Sequence, residues 1–169
     1  MGLFTPAKWK VYQNQKLGNK FDPVLSLAFN SRRRDYAMLN FDNYVRQFND
    51  SVNIASTTKK PDVFFERYDF ALQRIIAVIY MRKYVKVKMN SPEKSANELI
   101  DRKQEFIRDL ISRRAEVLKE KLTKLKTPAS KKKNIAKFEE EFIPYHTEMS
   151  QENIDYIKRT VDYYMRNCE

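Results

Sequence analysis

Apolar residues recur along this chain mostly at the three- and four-residue spacing of an amphipathic helix, and they predict five helices. Glycine occurs only twice, whereas a protein built on tight β turns needs more residues that tolerate positive φ. Pro61, Pro92 and Pro128 each follow a polar residue and open a helical pattern, a position where a helix accommodates proline. Ser91, Thr127 and Ser150 are the predicted N-caps of the helices that follow them. The pattern therefore predicts an all-α fold, a compact bundle of about five helices, over about 33–56, 61–88, 92–125, 129–142 and 151–166.

The helix predicted over about 61–88 is the most apolar of the five. Between Phe70 and Met81 only Gln73 and Arg74 are polar. A helix that is apolar nearly all round is usually buried on every side. We therefore expect this helix to be the central element of the bundle.

The helix predicted over about 92–125 is the longest. Ile100, Ile111 and Leu122 repeat every eleven residues, a period that stays in phase with a nearly straight helix. At 1.5 Å per residue such a helix spans about 50 Å. We expect it to pack against the helices before it rather than to form a long parallel coiled coil.

The N-terminal segment 1–22 lacks a helical period. Lys8, Trp9, Lys10 and Val11 alternate between polar and apolar, which is compatible with a short strand or an irregular segment. We interpret residues 1–22 as an irregular arm that packs Trp9 onto the body. Residues 23–127 would form a basic helical core, and 128–169 a C-terminal helical pair in the same domain or in a small subdomain.

Charge changes this picture more than any motif does. The chain has 33 Lys and Arg against 22 Asp and Glu, a formal net charge of +11. Residues 1–127 carry a net charge of +12 and residues 128–169 a net charge of −1. Basic clusters of this kind bind phosphate groups, and tyrosines beside some of them could stack on bases. The residues we expect to contact a polyanion are Arg32, Arg33, Arg34, Arg82, Lys83, Lys86, Lys88, Arg113, Arg114, Lys131, Lys132 and Lys133.

The helix predicted over about 129–142 has its charges in an unusual order. Lys131, Lys132 and Lys133 lie near its start and three glutamates near its end, whereas the helix dipole favours the opposite arrangement. A bound anion would offset this local cost. Solvated lysines, or glutamates paired with another helix, would also explain the pattern.

Catalytic chemistry has little support in the sequence. The single histidine, His146, lies near Glu141 and Glu148, which is a weak signal for a metal site, and we interpret it as a surface or capping residue. No glycine-rich phosphate loop or nucleophile elbow is present. We therefore predict no enzymatic activity, no cofactor and no metal.

These observations leave two main classes of function. The first is a binding protein for a polyanion, most plausibly nucleic acid, although no recognised nucleic-acid-binding motif is present. The second is a helical interaction or scaffold module whose charge keeps it in solution and steers an acidic or helical protein partner. Peripheral membrane binding through a basic face ranks third.

The one cysteine, Cys168, excludes a disulfide framework within the chain, and the longest apolar run is too short to cross a bilayer, so we expect a cytoplasmic protein with no transmembrane segment.

Overall fold

The computed structural model describes residues 8–12, 34–82 and 91–168. All regular secondary structure in these ranges is helical, so the predicted all-α class is confirmed. Seven α-helices and one 3-10 helix lie in the described ranges, where the sequence predicted about five helices. The α-helices are α1 (Lys8–Tyr12), α2 (Arg34–Thr57), α3 (Pro61–Met81), α4 (Pro92–Asp101), α5 (Lys103–Lys124), α6 (Pro128–Phe142) and α7 (Gln151–Arg166), and the 3-10 helix covers Ile143–Glu148.

The chain divides into two compact units. Among the described residues, unit 1 contains 8–12, 34–54, 66–82 and 91–102, and unit 2 contains 55–65 and 103–168. No helix in the described ranges has the length and apolar character that a membrane crossing requires.

Unit 1 is built on the apolar part of α3, and the predicted burial of this helix is confirmed. Its residues from Ala71 to Met81 include seven with no exposed surface: Ala71, Leu72, Ile75, Ile76, Ala77, Val78 and Met81. Arg74, one of the two polar residues in this stretch, places its guanidinium over the rings of Tyr44 and Phe70, at 4.5 and 4.4 Å from their centroids. The stem of an arginine can be buried in this way while its charge remains stabilised by aromatic faces.

Residues Lys8–Tyr12 form a short helix, where the sequence suggested a strand or an irregular segment; the rest of the predicted arm, 1–7 and 13–22, lies outside the described residues. Trp9 is buried, as expected, and its ring meets Tyr80 edge-on at 5.5 Å. Lys8 also donates to the Asp101 carboxylate at 2.7 Å. These contacts attach α1 to α3 and α4 within unit 1.

The prediction of a single helix over 92–125 is wrong in one respect, because the structure divides this segment into two helices at Arg102. The backbone of Arg102 leaves the helical region at φ −94° and ψ 11°, and α5 begins at the next residue. Neither glycine nor proline lies near this position, so the sequence carries no local signal for the break. The boundary between the two units falls at the same position.

Unit 2 contains a helical hairpin, α5 and α6, joined by the three residues 125–127. Thr127 caps α6, because its side-chain oxygen accepts the Ser130 N–H at 3.2 Å, and Ser150 caps α7 in the same way. Both caps, and that of α4 by Ser91, are the ones the sequence predicted. The buried apolar residues of the three long helices are Ile107, Leu110, Ile111 and Leu118 of α5, Ile135, Phe138 and Phe142 of α6, and Ile157 and Val161 of α7.

Helix α7 runs parallel to α5. At its start, the buried Asn153 amide donates to the Gln104 carbonyl at 3.0 Å. Further along both helices, the Ser112 and Tyr156 hydroxyls are 3.1 Å apart. In sequence, α6 comes between α5 and α7, and it runs antiparallel to both. The C-terminal ends of α5 and α7 therefore lie at the same end of unit 2 as the N-terminal end of α6.

Candidate functional site

Arg82, predicted to contact a polyanion, is paired within the chain. Its guanidinium forms a two-pronged ion pair with the Glu93 carboxylate in unit 1. Ser91 also donates to Glu93, at 3.0 Å. The positive charge of Arg82 is therefore already matched by a carboxylate, and its head group is held beside the start of α4.

Arg113 contacts backbone carbonyls in unit 2. Its Nε donates to the Thr58 oxygen at 2.9 Å and its Nη2 to the Ala55 oxygen at 3.1 Å. Ala55 lies in the last turn of α2, where a helix leaves its last acceptors without intrahelical partners, and Thr58 directly follows the helix. Burial lowers the pKa of Arg113, and the nearby Asp109 carboxylate acts in the opposite direction. Arg113 is thus held by α2 through the hydrogen bonds that this side chain supplies.

Arg114 joins the two helices of the hairpin. Its Nε and Nη2 donate to the two Glu141 oxygens at 2.7 and 2.9 Å, the paired geometry that makes arginine–carboxylate contacts strong. The hydrogen bonds that Arg114 donates to Glu141 raise the pKa of Arg114, while partial burial opposes the rise. Glu141 is one of the three glutamates at the end of α6, so part of the unusual charge order of this helix serves a helix–helix contact.

Lys131, Lys132 and Lys133 have a different environment. They lie near the start of α6, and the end of α5 brings further lysines to the same end of the hairpin. Within residues 119–138 the only carboxylate is Glu120. We call this set the lysine patch; its members are Lys119, Lys121, Lys124, Lys126, Lys131, Lys132, Lys133 and Lys137.

The lysine patch is accessible and unpaired within the part of the chain that the structure describes. Seven of its lysines are exposed and Lys131 is half-buried. None of the eight forms an ion pair with a carboxylate in residues 8–12, 34–82 or 91–168. Eight like charges within residues 119–138, with Glu120 as the one acid in that range, give a locally positive surface.

The first backbone donors of α6 do not by themselves make this an anion site. Thr127 already accepts the Ser130 N–H, and the Ser130 hydroxyl donates to the Thr127 carbonyl at 2.9 Å. The side chains of the patch, not the helix terminus, provide its capacity to bind anions.

The remaining predicted cationic residues lie outside the described residues or at the start of α2. Arg32, Arg33, Lys83, Lys86 and Lys88 lie outside the described residues, as does the end of the helix predicted to 88. Arg34 is the first residue of α2. Sequence reasoning missed Lys119, Lys121, Lys124, Lys126 and Lys137, because it compared charges on either side of Thr127 and so divided the hairpin in two.

A groove on unit 2 lies between α5 and α7. Its volume is about 600 Å³, and its lining includes Ser112, Glu116, Tyr156, Arg159, Tyr163 and Tyr164. Tyr163 is 62% exposed, one of the two most exposed large apolar residues in the described ranges. Nothing in the sequence pattern indicated this groove.

A second cavity of about 600 Å³ in unit 2 has a balanced charge. Lys59, Lys60 and Arg114 line it together with Asp62, Glu140 and Glu141. Such a site has no preference for a polyanion. Separately, the described residues include no group of three or more His, Cys, Asp or Glu side chains placed to hold a metal ion.

Comparison of the chain with protein-family models, with curated proteins and with solved structures found no significant match.

Proposed function

We propose that this chain is a non-catalytic, basic helical protein that binds nucleic acid in the cytoplasm, with the lysine patch as its main phosphate-binding surface. One observation carries the proposal: the eight lysines of the patch have no ion-pair partner in the described ranges, and Glu120 is the one carboxylate within residues 119–138. A positive surface that the fold does not neutralise is available to an external anion.

The dimensions of the patch suit a polymer of phosphates. Along α5, Lys119 to Lys124 extend over about 7.5 Å, which equals about two nucleotide steps of 3.4 Å along one strand. Lysine acts as a mobile point charge, so it can follow a backbone without reading its sequence. Each phosphate that a lysine neutralises releases a counterion, and this entropy gain drives binding.

Three of the predicted arginines differ from the lysines of the patch, because they already have partners within the chain. Arg82, Arg113 and Arg114 each hold a carboxylate or backbone carbonyls of the same chain. Moving any of them to a phosphate would break contacts that are already made. We therefore assign the interface to Lys131, Lys132, Lys133 and the five lysines around them, and give the three arginines structural roles.

The proposal is tested by removing two charges from the patch and two from elsewhere. The patch variant is Lys132→Gln with Lys133→Gln, and the matched control is Lys94→Gln with Lys158→Gln. All four lysines are exposed and form no ion pair in the described ranges. Both variants lower the net charge equally, so they separate a local interface from a general effect of charge.

We expect fluorescence anisotropy at about 50 mM salt to give weaker binding of generic DNA and RNA by the patch variant, by about five- to tenfold, and near-original binding by the control. Folding of both variants, followed by circular dichroism, should be unchanged. Equal losses in the two variants would contradict a localised interface. Absence of binding by the original protein would favour the protein-interaction alternative, in which the charge steers an acidic partner.

A further inference from the structure

The groove between α5 and α7 lies next to the lysine patch. Helix α7 is parallel to α5, so Tyr163 and Tyr164 lie beside Ala115 and Glu116, and all four line the groove. Lys119 follows Glu116 by three residues on α5, a separation of about 5–6 Å along one helix face. A ligand whose phosphates lie on the patch can therefore extend into the groove.

Tyr163 is placed as a surface for stacking. Its ring meets Tyr164 edge-on, with centroids 5.3 Å apart and an angle of 77° between the planes. Tyr164 supports the ring from one side while 62% of Tyr163 remains exposed. By contrast, the Tyr156 ring is already covered by the Arg108 guanidinium, 4.8 Å from its centroid.

A cation accompanies this ring. Arg159 precedes Tyr163 by one helical turn, lines the same groove, and is exposed. It forms no ion pair with a carboxylate in the described ranges. Among the groove residues that the structure describes, Glu116 is the only carboxylate, so the pair of Arg159 and Tyr163 presents one cation and one open aromatic face.

We infer that the nucleic acid bound by this protein is single-stranded, with a base stacked on Tyr163 in the α5–α7 groove and its neighbouring phosphates on Arg159 and Lys119. This inference rests on the proposed function and narrows its ligand class. A base in a duplex is stacked between its neighbours and cannot reach such a ring, whereas a single strand exposes its bases for stacking. The groove volume of about 600 Å³ is within the range of sites that enclose small ligands.

The test compares two ligands and three variants by fluorescence anisotropy. The ligands are a labelled single strand of about 20 thymidines and the duplex of the same length, which exceeds the expected site size of about 4–16 nucleotides. Tyr163→Leu removes the ring, Tyr163→Phe keeps it, and Arg159→Gln removes the adjacent charge. Because both side chains are exposed, we expect all three variants to melt like the original protein.

We expect the original protein to prefer the single strand. Tyr163→Leu should weaken single-strand binding about tenfold and leave duplex binding unchanged, while Tyr163→Phe should bind like the original. Arg159→Gln should weaken single-strand binding and make it less dependent on salt. Equal affinity of the original protein for both ligands, or equal single-strand affinities of the Leu and Phe variants, would overturn the inference while leaving the proposed function intact. Failure to bind either ligand would instead remove the proposed function, and the inference with it.

Discussion

At the scale of single residues, the cationic side chains of this protein differ in what they already contact. Arg113 is held by the carbonyls of Ala55 and Thr58, whereas Lys132 and Lys133 project from α6 without an ion-pair partner in the described ranges. Net charge counts these residues equally. Only Arg113 makes hydrogen bonds that stabilise the fold, so its substitution should affect stability, whereas substitution of Lys132 or Lys133 should not.

Arg113→Met should destabilise the fold. The substitution keeps an apolar stem but removes two charged hydrogen bonds to carbonyls at the end of α2, each of a type worth about 1.5–3 kcal/mol. We expect the free energy of unfolding, measured by urea denaturation, to fall by about 2–3 kcal/mol, which is less than the sum of the two bonds because Arg113 is only partly buried. Arg159→Met is the matched control and should change it by less than about 0.5 kcal/mol, because Arg159 is exposed. Similar changes in both variants would show that Arg113 has no such structural role.

At the scale of secondary-structure elements, the α5–α6 hairpin both organises unit 2 and creates the lysine patch. The Arg114–Glu141 pair fixes the two helices side by side, and Thr127 begins the second helix. The same short turn that joins the helices brings lysines from both to one end. The hairpin is therefore the element in which stability and proposed function meet.

Thr127→Ala should weaken this hairpin through loss of the α6 cap. The Thr127 oxygen accepts the Ser130 N–H, and replacement of such a cap by alanine costs about 1 kcal/mol. Thermal denaturation should show a lower midpoint for this variant. Thr123→Ala is the control, because Thr123 is exposed in the last turns of α5 and bonds only its own helix, through Glu120; its midpoint should be almost unchanged. A Thr127→Ala midpoint no lower than that of Thr123→Ala would contradict the capping role.

Elements were predictable from the sequence where one local signal decides the structure. Ser91, Thr127 and Ser150 cap their helices as predicted, and the apolar run of α3 is buried as predicted. The break at Arg102 was not predictable, because no glycine or proline marks it. The break coincides with the boundary between the two units, which only the tertiary fold defines. The full lysine patch also escaped prediction, because its members belong to two helices that only the tertiary fold brings together.

At the scale of the whole molecule, positive charge is present in both units. The residue ranges assigned to unit 1 contain 16 Lys and Arg against 9 Asp and Glu, and those of unit 2 contain 17 against 13. The net charges of the two ranges are thus +7 and +4. Unit 2 is the less basic by count, yet it carries the patch, so the arrangement of charge matters more than its total for the proposed binding.

Partly buried tyrosines in both units should make the protein sensitive to alkali. Burial raises the pKa of Tyr80, Tyr145 and Tyr164 above the ordinary value, because desolvation disfavours the phenolate. The unfolded chain therefore loses these protons at lower pH than the folded chain does. The stabilisation is complete below the unfolded pKa of about 10 and is lost as pH rises through the folded values.

Urea denaturation between about pH 9 and 11 would measure this effect. We expect the free energy of unfolding to fall across this interval, and to fall less in the variant Tyr145→Phe with Tyr164→Phe, which cannot ionise at these positions. Lysine titration is common to both proteins and cancels in the comparison. Identical slopes against pH for the two proteins would contradict a role for the Tyr145 and Tyr164 hydroxyls.

The salt dependence of nucleic-acid binding tests the central claim most directly. The association constant of the original protein for a labelled single strand should be measured by anisotropy between about 50 and 200 mM salt. If at least four lysines of the patch contact phosphates, at about 0.7 counterions each, a plot of log K against log salt should fall with a slope of about −3 or steeper. A slope near zero, or no binding at about 50 mM salt, would contradict the account.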